Sequence, residues 1–186
     1  MSDILPFGHS VYLIGLPGCG KSVLGRTLAR DAGLPFTDLD TDIVTAADMP
    51  IPQFFAERGE AAFRDLETRV LHLASITEAQ VIATGGGIIL REDNVARMRA
   101  TGIVLWIDRP LERILSDVRQ DTRPLLAGDA RERLMALHAA REPLYRAAAH
   151  LRLVNTGTRA QAVRDALALL RGFVAEQEQN QRGEQR

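Results

Sequence analysis

The chain of 186 residues contains one cysteine, one tryptophan and one lysine. A single thiol, Cys19, excludes an internal disulfide framework and suits a reducing compartment. No apolar run approaches the length of a bilayer span. The first ten residues hold no lysine or arginine, and Val11–Ile14 is too short for a signal core. A net charge of −1 leaves no basic excess of the kind nucleic acid requires. The expectation is a cytoplasmic globular protein, monomeric, with neither nucleic-acid nor membrane partner. With 46% hydrophobic residues, it has enough apolar side chain to fill a core.

The scarcity of lysine turns attention to the one that is there. Of 23 basic residues 22 are arginine, and the exception is Lys21. It stands in Gly15-Leu16-Pro17-Gly18-Cys19-Gly20-Lys21-Ser22, which fits the pattern G-x-x-x-x-G-K-[ST]. Glycines in such a loop turn backbone N–H groups onto phosphate oxygens, and the following helix adds its positive end. The compact ammonium of Lys21 reaches the outer phosphates, where a planar guanidinium fits less well. Ser22 is the magnesium ligand. Gly15, Pro17, Gly18, Cys19, Gly20, Lys21, Ser22 and Val23 are the expected ATP contacts, with Cys19 a small spacer rather than a reactive thiol.

Short apolar segments alternate with helical patterns along the chain. Strands are expected at Val11–Ile14, Phe36–Asp40, Val81–Thr84, Ile103–Asp108 and Leu151–Asn155. Helices are expected at Ser22–Asp31, Ile43–Met49, Ile51–Arg58, Glu60–Ser75, Asn94–Ala100, Leu111–Val118, Arg131–Arg141 and Thr158–Glu176. This alternation implies an α/β fold with a mainly parallel sheet covered on both faces. Residues 1–176 form one domain, and the Gln/Glu-rich stretch 177–186, with no apolar residue, reads as a disordered tail. Ligands of such sheets bind beyond the carboxyl ends of the strands. The lysine loop, Asp40/Asp42 and Gly85-Gly86-Gly87 all fall at those ends.

Four further groups carry candidate chemistry. Asp40 and Asp42, two apart in extended chain, share a face. One would serve magnesium through its water shell and the other would take the proton of a substrate hydroxyl; a turn with Asp42 as helix cap is the alternative. Arg64 and Glu67, three apart on a helix, can pair, either as an exposed ion pair or as a fork held toward an anionic substrate. Gly85–Gly87 offers bare backbone to a ligand, or is a plain flexible turn. Arg123 and Arg141 each precede a proline-fixed turn, where an arginine can close over transferring phosphate or simply face solvent.

Taken in order, Gly15–Ser22, Asp40-Thr41-Asp42, Gly59-Glu60 with Phe63-Arg64 and Glu67, Gly85–Gly87, Arg123-Pro124-Leu125-Leu126, and Arg141 with Pro143-Leu144-Tyr145 closely resemble the shikimate kinase family. The resemblance runs from about Val11 to Ala175. It implies a three-layer α/β/α fold like that of P-loop nucleoside-monophosphate kinases, with a five-stranded parallel sheet. A lid is expected near 120–130 and a substrate-binding region near 42–75. It also implies ATP-dependent phosphorylation of the 3-hydroxyl of shikimate, on the way to chorismate and the aromatic amino acids, with Mg2+ as cofactor.

Carried over by motif, Lys21, Asp42 and Arg123 are the catalytic set. Asp42 holds the reacting hydroxyl, Arg123 reaches the phosphates from the lid, and Ser22 and Asp40 serve the metal. Asp42, Arg64, Gly85, Gly86, Gly87 and Arg141 bind shikimate, Glu67 orients Arg64, and Phe55 and Phe63 shape the pocket. Two departures stand out. Val23 occupies the place of a threonine whose hydroxyl would meet the α-phosphate, and the adenine-side arginines, Arg119 and Arg159, match the family spacing loosely. A kinase with another acceptor, such as gluconate or a nucleotide, and a nucleotide switch without turnover are the competing readings. The triple glycine and the Arg-Pro-Leu-Leu segment argue against the first.

Overall fold

In the computed structural model, residues 9–121 and 127–184 are described. Five strands form one parallel sheet: β1 (Ser10–Ile14), β2 (Phe36–Asp38), β3 (Val81–Ala83), β4 (Gly102–Asp108) and β5 (Leu151–Val154), in the order β2-β3-β1-β4-β5. The central strand, β1, is buried along its whole length. Val11, Tyr12, Leu13 and Ile14 are all fully buried, as a strand covered on both faces requires. Truncating such a residue, for example Leu13→Ala, would cost about 2–5 kcal/mol.

Register lines up the carboxyl ends. Leu13 lies between Ala83 and Leu105, Asp38 pairs with Ala83, and Asp108 with Val154. Gly15, Leu39, Thr84, Arg109 and Asn155 therefore emerge along one edge of the molecule. Two cross-links tie this edge together. Thr84 Oγ1 donates to Leu13 O at 2.8 Å, and Asn155 N donates to Asp108 O at 2.7 Å.

The helices are α1 (Lys21–Ala32), α2 (Leu39–Ala47), α3 (Ile51–Ser75), α4 (Glu92–Thr101), α5 (Leu111–Asp121), α6 (Ala127–Ala148) and α7 (Arg159–Glu184), with a short 3-10 turn at Ile88–Leu90. Within α3 the chain breaks helical geometry at Gly59 (φ 78, ψ 172), so the two helices expected on either side of it are both present, joined through that residue.

Three expectations need correction. Strand β2 stops at Asp38, two residues short of the expected end, and α2 starts at Leu39, four residues before the expected Ile43, because the Asp38 carboxylate accepts the Asp40 N–H at 3.2 Å and caps the helix there. Residues 177–184, expected to be a disordered tail, continue α7. Glutamine, glutamate and arginine are good helix formers, and a helix already nucleated by buried Ala162, Val163, Ala166 and Leu170 propagates cheaply. Pro143 does not fix a turn after Arg141 but lies inside α6, where buried Tyr145 and Ala148 anchor the last turns. Arg123 and the centre of the expected lid lie outside the described residues, as does the Arg119 side chain.

Candidate active site

The loop from Gly15 to Gly20 needs its glycines for space and for backbone angle. Gly15 has φ 143, and a Cβ there would come within 2.5 Å of Ile107 O and 3.0 Å of Cys19 Sγ. Gly20 caps α1 in the left-handed region, so the first N–H groups of the helix face the cavity beyond β1. Lys21 is buried, and its Nζ donates to Gly15 O and Leu16 O, both at 2.9 Å. The Cys19 thiol is fully buried, and burial pushes its pKa up against the pull of Lys21. It is a packed spacer, as expected.

A cavity of about 660 Å³ opens over this loop, lined by Pro17, Gly18, Gly20, Lys21, Ser22, Val23, Leu24, Asp40, Thr84, Gly86, Arg109, Asn155, Gly157 and Arg159. It contains most of the expected phosphate-loop contacts together with Arg159. Arg109, Asn155 and Gly157 were missed. They directly follow β4 and β5, so the strand-end rule that picked out the other loops points to them as well.

The two carboxylates separate. On a helix, positions two apart are rotated by about 200°. Both are exposed, but Asp40 lines the phosphate cavity, whereas Asp42 lines a different one, of about 520 Å³, among Pro35, Thr37, Thr45, Val70 and Leu73. The shared-face reading of Asp40 and Asp42 is therefore corrected, and with it the placement of Asp42 at a reacting hydroxyl. Burial raises the pKa of Asp40, and the negative charge of Asp38 adds to the effect, with Lys21 opposing.

Next to Asp40 stands the triple glycine, and each of its members is pressed by a different part of the site. A Cβ on Gly85 would lie 2.8 Å from Glu67 Oε1 and 3.0 Å from Asp40 Oδ1. One on Gly86 would lie 2.8 Å from Pro17 Cδ, and one on Gly87 would lie 2.5 Å from both terminal nitrogens of Arg64. This turn is where phosphate loop, acid and arginine meet, and side chains are absent because there is no room for them.

Arg64 and Glu67 are not a solvent-exposed pair. Arg64 Nη1 donates to Glu67 Oε2 at 2.7 Å, with the two side chains 12% and 1% exposed. Arg64 Nη2 also reaches Glu60 Oε1 at 3.2 Å, and its guanidinium lies 5.2 Å from the Phe63 ring centre. Phe55 packs on Phe63 with centroids 4.4 Å apart. Burial raises the pKa of Glu67 despite the arginine, and its Oε1, facing Gly85, has no hydrogen-bond partner. From the other side, Arg141 Nη1 donates to Gly86 O at 3.1 Å and the Tyr145 hydroxyl to the same oxygen at 2.6 Å. Two guanidiniums thus flank a tripeptide of bare backbone, beside a phosphate loop and one carboxylate.

A phosphate loop opening α1, on a parallel sheet of this order, with ligand-facing groups at the strand ends, defines a P-loop phosphoryl-transfer enzyme of the small-molecule kinase class. The family model described as shikimate kinase matches residues 17–171, and the chain belongs to the shikimate kinase family. A shikimate kinase of Paracidovorax citrulli is 49% identical over 147 residues, covering 76% of this chain and 79% of that protein. One from Clostridium botulinum is 38% identical over 150 residues, covering 81% and 90%. Among solved structures, shikimate kinase from Acinetobacter baumannii in complex with shikimate superimposes with a TM-score of 0.79 at 36% identity, over 87% of this chain and 92% of that one. A gluconokinase from Sinorhizobium meliloti shares the fold at 16% identity, with a TM-score of 0.62 over 94% and 98%. Among the described residues, no helix is long and apolar enough to cross a membrane.

Proposed function

We propose that this enzyme transfers the γ-phosphoryl group of ATP to the 3-hydroxyl of shikimate, giving shikimate 3-phosphate for the route to chorismate and the aromatic amino acids. The observation that carries this reading is the pair of arginines, Arg64 and Arg141, on either side of Gly85–Gly87 and next to the phosphate loop. Two forked cations beside bare amides suit a small polyhydroxylated carboxylate. The fixed Glu67 keeps Arg64 aimed, and Phe55 and Phe63 give the fork an apolar wall.

In this reading the triphosphate lies along residues 15–22, with Lys21 leaving the carbonyls of Gly15 and Leu16 for the outer phosphates. Arg159 and Arg109 belong to the nucleotide end of the cavity. Asp40, which lines the phosphate cavity beside the glycine turn, and not Asp42, faces the reacting hydroxyl and takes its proton. Arg123 is assigned to the γ-phosphate on the resemblance alone.

Magnesium fits the donor set. Ser22 and Asp40 line one cavity, and among the described residues no group of three or more His, Cys, Asp or Glu could hold a metal by itself. That is the arrangement of a hard cation bound chiefly through phosphate oxygens and water. Ser22 would ligate it, and the carboxylates of Asp38 and Asp40 would take up its water shell. When bound, it supplies neutralisation of the phosphate charge. We take the enzyme to act as a monomer in the cytoplasm, a reducing compartment that suits its single buried thiol.

The test is ADP release coupled to a reporter, with MgATP and shikimate. Turnover is expected to depend on both. Release no faster with shikimate than with ATP alone, from folded protein, would refute the assignment, and a panel including gluconate would identify another acceptor.

A further inference from the structure

The three carbonyls of the glycine turn are held in different ways. Gly85 O accepts the Ile88 N–H at 3.2 Å and Gly87 O accepts the Leu90 N–H at 3.0 Å, both within the turn itself. Only Gly86 O is held from another element, by Tyr145 and Arg141 of α6. A trans peptide is planar, so the direction of the Gly86 carbonyl also fixes the Gly87 N–H, which points the opposite way. Glycine offers no side chain to resist rotation of that plane, so its orientation has to be imposed from outside.

The two donors are not equivalent. Arg141 is one of the two arginines assigned to the acceptor's carboxylate, and a guanidinium that turns its fork to a carboxylate gives up its present geometry on a carbonyl. Tyr145 also pairs with Arg141, but its hydroxyl has no acceptor group of the substrate assigned to it. Its side chain is 1% exposed, and its ring stacks on Trp106 of β4 with centroids 6.0 Å apart. Burial also pushes the phenol pKa far up, so the hydroxyl remains a donor across the working range.

We propose that Tyr145 is a positioning residue for the transfer: its hydroxyl keeps the Gly86 peptide in place, so that Arg141 is free to exchange from that carbonyl to the substrate carboxylate. The proposal rests on the reading of the acceptor as a carboxylate.

The experiment compares Tyr145→Phe with the unmodified enzyme. Phenylalanine keeps the stacked ring and removes one oxygen. Without it, Arg141 becomes the sole donor to Gly86 O and the acceptor must compete for it. The KM for shikimate is expected to rise about fivefold to tenfold, the loss of one hydrogen bond, while the KM for ATP stays within about twofold and the melting temperature within a few degrees. Trp106, the chain's one tryptophan, gives an independent binding curve for shikimate by fluorescence, and its Kd should rise by the same factor. A smaller rise in the shikimate KM and Kd overturns the proposal. So does an equal rise in the ATP KM, or a parallel fall of all parameters with the melting temperature, because either makes Tyr145 a packing residue only. The unmodified enzyme run alongside separates the two ideas: if it does not turn over shikimate, the function reading fails first.

Discussion

Exchange of either aspartate for asparagine, Asp40→Asn or Asp42→Asn, separates what the helix at Leu39 did to these two residues. Both substitutions are nearly isosteric and remove one charge. Asp40 lines the phosphate cavity beside the glycine turn, so losing its proton acceptor should lower kcat by about 10²–10⁴-fold. The phosphate loop is untouched, and nucleotide affinity should change little. Asp42 is exposed and lines a different cavity, so its replacement should alter kcat/KM by less than about twofold, the range of an ordinary surface change near 0.5 kcal/mol. Stability should move in the opposite sense to activity. The pKa of Asp40 is raised in the folded state, so the folded protein binds that proton more tightly than the unfolded chain does. Its contribution to stability is therefore fullest at low pH and is lost as pH rises through the raised pKa. Asp40→Asn should melt slightly higher than the unmodified protein at pH 8, with the advantage gone once the pH falls to about 4, where the carboxyl is protonated in both states. Steady-state kinetics of both variants and melting curves at pH 8 and near pH 4 are the measurements. Equal kinetic damage from both substitutions, or damage confined to Asp42→Asn, would refute the helical placement of the pair.

Gly87→Ala should act through Arg64, because the new methyl would sit 2.5 Å from its terminal nitrogens while Glu67 and Glu60 hold them; a rise of about tenfold or more in the shikimate KM with the ATP KM unchanged is the expected kinetic result. Arg64→Ala should cost about 3–5 kcal/mol near neutral pH by leaving Glu67 buried without its cation. Because burial already raises the Glu67 pKa, that loss should fade as pH falls and the acid protonates, which denaturant unfolding at pH 8 and pH 5 would show. Val23, 46% exposed within the nucleotide cavity, has no hydroxyl to give a phosphate, so Val23→Thr should lower the ATP KM a few-fold and leave the shikimate KM alone, as initial rates would report.

Much of this site was legible as a string because its parts are local. The phosphate loop needs glycines, a lysine and a serine at fixed offsets, and all eight positions from Gly15 to Ser22 lie within one strand-to-helix turn. The alternation of apolar runs with helical patterns likewise gave the parallel sheet, since each element's buried face is written in its own periodicity. The break at Gly59 showed as a glycine between two helical patterns. The misreadings came where a short-range competition had to be resolved. Phe36–Asp42 satisfies either an extended or a helical description, and the Asp38 cap decided it. The Gln/Glu-rich end contains nothing that prefers disorder once a packed helix feeds into it. Pro143, a residue that usually ends a helix, stays inside one because buried Tyr145 anchors the turn that follows it.

The order of residues alone therefore determined the chemistry available: a phosphate grip, a set of arginines and acids, and a sheet to carry them. Which acid faces the grip was settled only by the folded chain, because one residue's difference in where a helix begins rotates every side chain after it by about 100°. The burial of Glu67, which turns an ordinary-looking ion pair into a fixed clamp, and the meeting of Tyr145 with Gly86 across 59 positions of sequence depend on α3 and α6 packing over the same strand ends. No local pattern encodes such contacts, since each depends on where distant elements come to rest.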